Sequence, residues 1–370
     1  MTECIENDIE FLTVEMFEES YNILRRKPGE KYKFIMNGGH VLKMALLKIC
    51  QSVWQSERLP QSWEKTTLVQ LYKGKGKRNN LDNMRHIHMK AEFPKFFGHL
   101  VVSAVKGTIV QNMSKFQIAT KPGHRAQENL YVLKSVIWLY SMLNIGLVLQ
   151  NWDLSKFFDK ESLFDCLGEL YKKGIKGKMY RLLYALNKNT KFSILTPVGV
   201  TEEVERGPGV GQGTGEGALI SSLNLDSGVR EYFSSSDCEV SYGPVQLAPI
   251  LFKDDVARLA LNIRSAQQGN IRMETMAETK LLDYNLEKST FMILGNKKSK
   301  EKIENELSGT SLLLCGRSMV QVKEAKYLGD WLSCEGLSDS VTTTVNKRLG
   351  ISKLTIYMKL GLFLKTVGLM

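Results

Sequence analysis

Apolar positions along the chain change their period several times, and each change marks an element. Within VLKMALLKICQSVW, Leu42, Leu46, Ile49 and Val53 recur at helical spacing, and Leu59-Pro60 closes a first region, residues 1 to 60, expected to be mostly helical. TTLVQLYKGKGKRNN then reads as a strand running into a glycine-punctuated basic loop. No charge lies between Lys134 and Asp153, and SVIWLYSMLNIGLVLQNW approaches the length of a bilayer span. Asn144 and Gly146 interrupt it, which predicts a helix ending near Gly146 and a buried strand from Leu147 to Asp153. Leu163, Cys166, Leu167 and Leu170 form one helical stripe and Met179, Leu182, Leu183 and Leu186 another, so Asp153 and Asp159 fall between a strand and a helix. Lys191 to Glu205 alternates as a hairpin turning at Pro197 to Gly199. Beyond it the pattern predicts a helix over Arg272–Asp283, a strand over Ser289–Leu294, a hairpin over Ser311–Ser333 and a helical, basic and apolar stretch from Val341 to Met370, with Leu362 to Leu364 exposed unless packed. No internal repeat or low-complexity tract interrupts this order.

Composition narrows the class. A chain of 370 residues exceeds what one core needs, so two or three subdomains are expected, and 43% hydrophobic with 24% charged residues describes a globular protein rather than a disordered one. The net charge of +11 points to a polyanionic partner, nucleic acid ahead of an acidic membrane surface. Six dispersed cysteines (Cys4, Cys50, Cys166, Cys238, Cys315, Cys334) without a Cys-x-x-Cys pair suggest neither a zinc site nor a disulfide framework, so a reducing compartment is expected. MTECIENDIEF lacks the basic and apolar regions of a secretory signal. An intracellular protein, nuclear or cytoplasmic and without a membrane partner, is the expectation.

Four stretches carry candidate chemistry. In ILFKDDVARLAL, Asp254 and Asp255 interrupt an apolar hairpin; judged alone they read more readily as a surface turn than as part of a metal site. Lys73, Lys75, Lys77, Arg78 and Arg85 crowd one loop with Asp82 as the only acid among them, fitting either a phosphate backbone, a triphosphate or a solvated turn. Asp153 stands at a strand end, a position where function is often grafted onto a fold. ERGPGVGQGTGEG places glycines at 207, 209, 211, 213, 215 and 217; all are odd-numbered, so the i, i+2, i+5 dinucleotide fingerprint cannot occur, and no Walker A pattern is present. A mobile loop letting backbone approach a ligand, or a plain linker, remains.

Taken in order, these stretches resemble the reverse transcriptases of non-LTR retrotransposons, over residues 20 to 335. SERLPQSWEKTTLVQLYKGKGKRNNLDNMRHI is similar to that family's finger segment, QIATKPGHRAQENL to its Phe-x-Pro-Gly-x-Ser segment and WDLSKFFD to the strand carrying the first catalytic acid. GVGQGTGEGALISSL resembles the Gly-Val-x-Gln-Gly segment, LFKDD the Tyr/Phe-x-Asp-Asp box, NLEKSTFMIL the lysine segment and KYLGDWLS the primer-grip hairpin. The resemblance implies an α+β, right-hand polymerase fragment. Fingers with a helical extension would cover 1–145, an antiparallel-sheet palm 146–335 with a fingers insertion around 163–200, and a truncated helical thumb 336–370.

It further implies an RNA-directed DNA polymerase using Mg²⁺ (or Mn²⁺), with an RNA template, a DNA primer and deoxynucleoside triphosphates as partners. Asp153, Asp254 and Asp255 would be the metal ligands, and Lys288 a proton donor to pyrophosphate. Lys73 and Arg85 would meet the triphosphate, Phe158 would reject a ribose 2′ hydroxyl, and Gln212 would lie near the templating pair. Departures stand beside these matches: Lys253 replaces a small or apolar residue, Phe157 an Ala, His86 a Pro, and GTGEGA an Asp-Pro-Leu-Ser-Pro stretch. They fit an impaired polymerase, or a catalytically inactive nucleic-acid-binding relic or domesticated protein. An RNA-directed RNA polymerase shares the chemistry but fits Phe158 poorly.

Overall fold

The structure, a computed structural model, describes residues 9–25, 32–74, 76–188, 191–205, 207, 209–234, 237–336 and 339–347. Lys75 and the stretch with Leu362 to Leu364 lie outside these residues. Two compact units form, one from Met1–Pro122, Lys156–Arg230 and Glu278–Asp283, the other from Gly123–Ser155, Glu231–Ala277 and Tyr284–Met370. The long apolar helix Ala126–Met142 falls in the second of these units.

The first unit is built on helices and a small sheet. The expected N-terminal helices are present as Val14–Arg25, Lys33–Asn37 and Gly39–Ser56. Leu46 and Val53 of the apolar stripe are buried, whereas Ile49 is 41% exposed. Phe17, Trp54, Phe96 and Phe97 meet with Cys166, Leu170, Leu182 and Leu223 in one core, so segments far apart in sequence share it. Strand Lys65–Tyr72 pairs antiparallel with Met84–Met89 and parallel with Lys191–Thr196. The latter turns back through Gly199–Val200 and Val204–Glu205, the expected hairpin. Two lysine side chains buried in this unit are satisfied by several partners. Lys90 ion-pairs with Glu216 at 2.6 Å and donates to the Leu186 carbonyl at 3.0 Å, and Lys280 donates to Asn224 Oδ1 at 2.9 Å.

The second unit is organised on a sheet whose centre is strand Leu147–Ser155, two residues longer than expected. Asp255–Ala260 and Thr290–Leu294 flank it, both antiparallel; Ile250–Phe252 pairs beyond the first and Val320–Gln321, parallel, beyond the second. Helix Ile263–Thr279 begins nine residues before the expected Arg272. Gly269-Asn270 reads as turn chemistry in the sequence. In the fold an added Cβ at Gly269 would lie 2.5 Å from the Arg258 guanidinium, and Asn270 Oδ1 accepts from Gln150 Nε2 (2.7 Å) and Trp152 Nε1 (2.9 Å). A glycine and an amide inside this helix thus let it close onto polar groups of the central strand. The single hairpin expected over Ser311–Ser333 is instead two, Leu313–Leu314 with Arg317–Ser318 and Glu324–Tyr327 with Asp330–Ser333. Leu328 (φ +47°) and Gly329 (φ +88°) give the second the two positive φ angles that a tight hairpin turn favours. Residues 339–347 are helical, and Lys347 stacks 3.6 Å from the Trp331 ring centroid. No helix among the described residues is long and apolar enough to cross a membrane.

Candidate active site

Asp153 and Asp255 are direct cross-strand partners in the second unit. Along the central strand Trp152 and Leu154 are buried while Asn151, Asp153 and Ser155 alternate on the other, half-exposed face, so Asp153 shares a face with Asp255. Directly opposed side chains in an antiparallel pair have Cβ atoms about 4.5–5.5 Å apart, and like charges there destabilise a sheet. The hairpin adds a third acid: Lys253 and Asp254 form the two-residue turn between Phe252 and Asp255, with Lys253 in the left-handed region at φ +58°. The positive φ at the first turn residue belongs to a hairpin geometry that favours glycine there. The Asp255 carboxyl is pushed up to about 6, first by the protein atoms crowding it and then by the charges of Asp254 and Asp153, with Lys253 opposing. Asp255 still reaches solvent, so part of that repulsion is screened.

Neighbouring groups hold the acids in place. Asp153 N–H donates to Ser289 Oγ at 3.1 Å, and its carbonyl accepts from Asn285 N–H at 2.8 Å. Lys288 Nζ lies 3.5 Å from Asp153 Oδ2, which makes an open, solvent-screened ion pair. Beneath the strand, Arg258 donates to Gln150 Oε1 (3.1 Å) and Ser265 O (3.0 Å), tying the two acid-bearing strands to the helix. Tyr327 of the last hairpin donates to the Ile250 carbonyl at 3.3 Å, one strand from the turn.

Three carboxylates of like charge offer the hard oxygen donors that a divalent cation prefers. Among the described residues, however, no group of three or more His, Cys, Asp or Glu side chains is placed to hold a metal ion as they stand. Mg²⁺ sites that use one or two carboxylates, with water and substrate phosphate completing the shell, do not need such a group. The donor chemistry of Asp153, Asp254 and Asp255 fits the ion in that manner.

The remaining sequence-predicted residues, Lys73, Arg85, Phe158 and Gln212, all lie in the first unit. Arg85 lies directly opposite Leu71 in the strand pair, and the Lys73 N–H continues the ladder to the Asn83 carbonyl at 2.8 Å. Lys73, two residues beyond Leu71, therefore shares a face with Arg85, and both are exposed. Met84–Met89 is an edge strand, and its outer side receives one bond from the glycine-rich loop, His88 N–H to the Gln212 carbonyl at 2.8 Å. That loop is also bound to Phe158, whose carbonyl accepts from Val210 N–H at 2.7 Å. Phe158 is half-buried and edge-on to Phe157, centroids 5.3 Å apart. Arg85, Gln212 and Phe158 are thus linked through main-chain bonds, with the glycine-rich loop as the connector.

Two glycines of the run, Gly209 and Gly217, pack against the chain's own backbone. Gly209 (φ +118°) allows a close approach to the chain's own backbone, since a Cβ there would lie 2.7 Å from the Asp159 carbonyl oxygen and 2.9 Å from that of Phe158. Gly215 and Gly217 already belong to helix Gly215–Tyr232, and a Cβ on Gly217 would meet the Gly211 carbonyl at 2.3 Å. Glu216, within the departure GTGEGA, is the buried partner of Lys90. Nothing local in the sequence indicates that pair, because its members are 126 positions apart.

The mixed α+β fold with antiparallel-rich sheets is similar to the reverse-transcriptase-like polymerase fold of telomerase. Structures it resembles include apo telomerase from Candida tropicalis truncated from its C-terminal domain, with a TM-score of 0.51 and 9% identity over 78% of this chain and 59% of that one. Telomerase from Candida albicans, in complex with a TWJ fragment of telomeric RNA, gives a TM-score of 0.50 and 10% identity over 79% of this chain and 48% of that one. The chain thus spans about half the length of the proteins it resembles. No family model and no curated protein matches the sequence.

Proposed function

We propose that the chain is the reverse-transcriptase domain of a retroelement-type polymerase, extending a DNA primer on an RNA template from deoxynucleoside triphosphates. The observation carrying this reading is the direct cross-strand pairing of Asp153 with Asp255 beside the Lys253-Asp254 turn. A like-charged carboxylate set on adjacent strands costs stability, and a cation-dependent reaction gives it a purpose. In the non-LTR resemblance the sheet holding it is the palm.

Asp153, Asp254 and Asp255 would hold Mg²⁺, which supplies Lewis-acid stabilisation of the transferring phosphoryl group and of the attacking hydroxyl. Lys288, whose Nζ lies 3.5 Å from Asp153 Oδ2, would give a proton to a departing anion. In the first unit Lys73 and Arg85 present two exposed cations on one face for a triphosphate, and the Phe158 ring offers a wall against a 2′ hydroxyl.

Primer extension on an RNA template with Mg²⁺ tests the reading. Asp153→Asn and Asp254→Ala should each lower extension by at least about a hundredfold, the order lost when a transition-state charge stabiliser is removed. Wild-type extension no greater than that of these variants would refute polymerase activity.

A second reading is favoured by one observation, the cations already set among the acids: Lys288 against Asp153, and Lys253 in the turn where its charge counters that of Asp255. They would offset the carboxylate charge without a metal and leave a non-catalytic nucleic-acid-binding protein. That reading expects salt-sensitive binding of primer–template duplex with Asp153→Ala binding as well as wild type; failure to bind at low salt would count against it.

A further inference from the structure

Helices Leu163–Lys172 and Gly177–Asn187 in the first unit bury leucines on one side and leave an aromatic row on the other. Phe164 is 82% exposed, Tyr171 52% and Tyr184 44%. Phe164, Gly168 and Tyr171 fall on one helical face, and a Cβ on Gly168 would meet nothing, so the helix is bare between the two rings. Tyr171 stands edge-on to Tyr180 at 5.7 Å, and Tyr180 and Tyr184 follow each other one turn apart.

Cations accompany the rings. Lys176 Nζ lies 5.2 Å from the Tyr171 centroid and Lys188 Nζ 4.9 Å from that of Tyr184. Between Leu163 and Lys188 the chain has six basic residues and two acids. Glu169 is buried and paired with Lys172 and Lys280, Lys178 is buried with its Nζ on the Glu10 carbonyl, and Arg181 pairs with Glu57, so Lys172, Lys173, Lys176 and Lys188 carry the charge beside the rings. Large exposed rings in a row are uncommon on a solvated surface unless they meet a partner. An apolar protein partner would be poorly served by so many flanking ammonium groups, whereas a polyanion with flat, stackable faces matches both features.

We propose that this face binds single-stranded nucleic acid, with unpaired bases stacking on Phe164, Tyr171 and Tyr184 while Lys172, Lys176 and Lys188 meet the phosphates. Bases in a duplex are already stacked, so selectivity for single strands follows from the rings, and affinity from rings and charges together. The surface shares no residue with the cation pair Lys73 and Arg85, and binding there does not depend on catalysis.

Fluorescence anisotropy of the full chain with labelled oligo(U), oligo(dT) and a duplex of about twelve nucleotides, in chelator without nucleotide, tests this. Either single strand should bind in preference to the duplex, and the two arms show whether RNA or DNA is favoured. Phe164→Ala with Tyr184→Ala should weaken single-strand binding about tenfold or more, whereas Tyr184→Phe, which keeps the ring, should retain it. Phe164 is 82% and Tyr184 44% exposed, and circular dichroism should show an intact fold. Unchanged binding by the folded double variant would overturn the proposal, as would a loss in Tyr184→Phe equal to that in the alanine variant. Self-association abolished by Phe164→Ala with oligonucleotide binding intact would instead make the face a contact between copies.

Discussion

Two carboxyls place a pH dependence in the molecule. Asp255 is raised to about 6 by crowding and by its acidic neighbours, and Glu161, fully buried beside Asn224, is raised to about 7 chiefly by burial. A carboxyl whose folded value lies above its unfolded one binds its proton more tightly when folded, so its contribution to stability is present at low pH and lost as pH rises through the folded value. Between about pH 4 and 7 these two groups should therefore lower stability as pH rises. Glu161→Gln should raise the thermal midpoint at pH 8 and flatten the dependence between pH 5 and 8; an unchanged or lower midpoint at pH 8 would mean the carboxyl is stabilised ionised. Lys253 allows a sharper test of the turn. Its left-handed backbone costs about 1–2 kcal/mol that glycine avoids. Lys253→Gly should stabilise the protein by about 1 kcal/mol in urea unfolding, and on the polymerase reading should also raise extension by removing an ammonium from among the acids. The hairpin turn at Lys253-Asp254 was legible because acids there interrupt an apolar run. The left-handed Lys253 was not, since sequence records the residue but not the angle it is forced to adopt.

Elements with a clean period were the legible ones. The strands at Leu147 and Thr290 announced themselves as apolar runs buried on both faces, and the helix pair from Leu163 by one apolar face each. Helix Ile263–Thr279 hid its start because its buried face carries Ser265, Gly269 and Asn270, chosen for Arg258 and Gln150 rather than for hydrophobicity. The glycine-rich run hid its boundary for a related reason: Gly217 is helical because the Gly211 carbonyl leaves no room for a side chain. Gly217→Ala should overpack that turn and destabilise the protein by about 1–3 kcal/mol, measurable as a lower urea midpoint. Half-buried Gly168, where the added methyl meets nothing, serves as the control, and Gly168→Ala should be neutral or slightly stabilising.

At the scale of the whole molecule, each unit is assembled from three stretches of chain, so the backbone passes from one unit to the other five times. Sequence pattern found the segments but not this partition, because shared burial is a property of contacts rather than of period. Phe96, Phe97 and Trp54 pack with Cys166, Leu170, Leu182 and Leu223, all later than Pro122. A fragment ending at Pro122 should therefore lack a cooperative unfolding transition by circular dichroism, although it contains the helices and the strand pair. A sharp transition in that fragment would show that the first core closes without its later segments.

The strand Met84–Met89 has a consequence of another kind. Among the described residues no further strand pairs with its outer side, and open strand edges of that sort recruit strands from other molecules. The Gln212 carbonyl, by accepting from His88, occupies that side and keeps Val210 and its neighbours lying across it. The loop that ties Phe158 to the sheet is thus also its selvedge, the finished border that stops the fabric from being extended by another copy of itself.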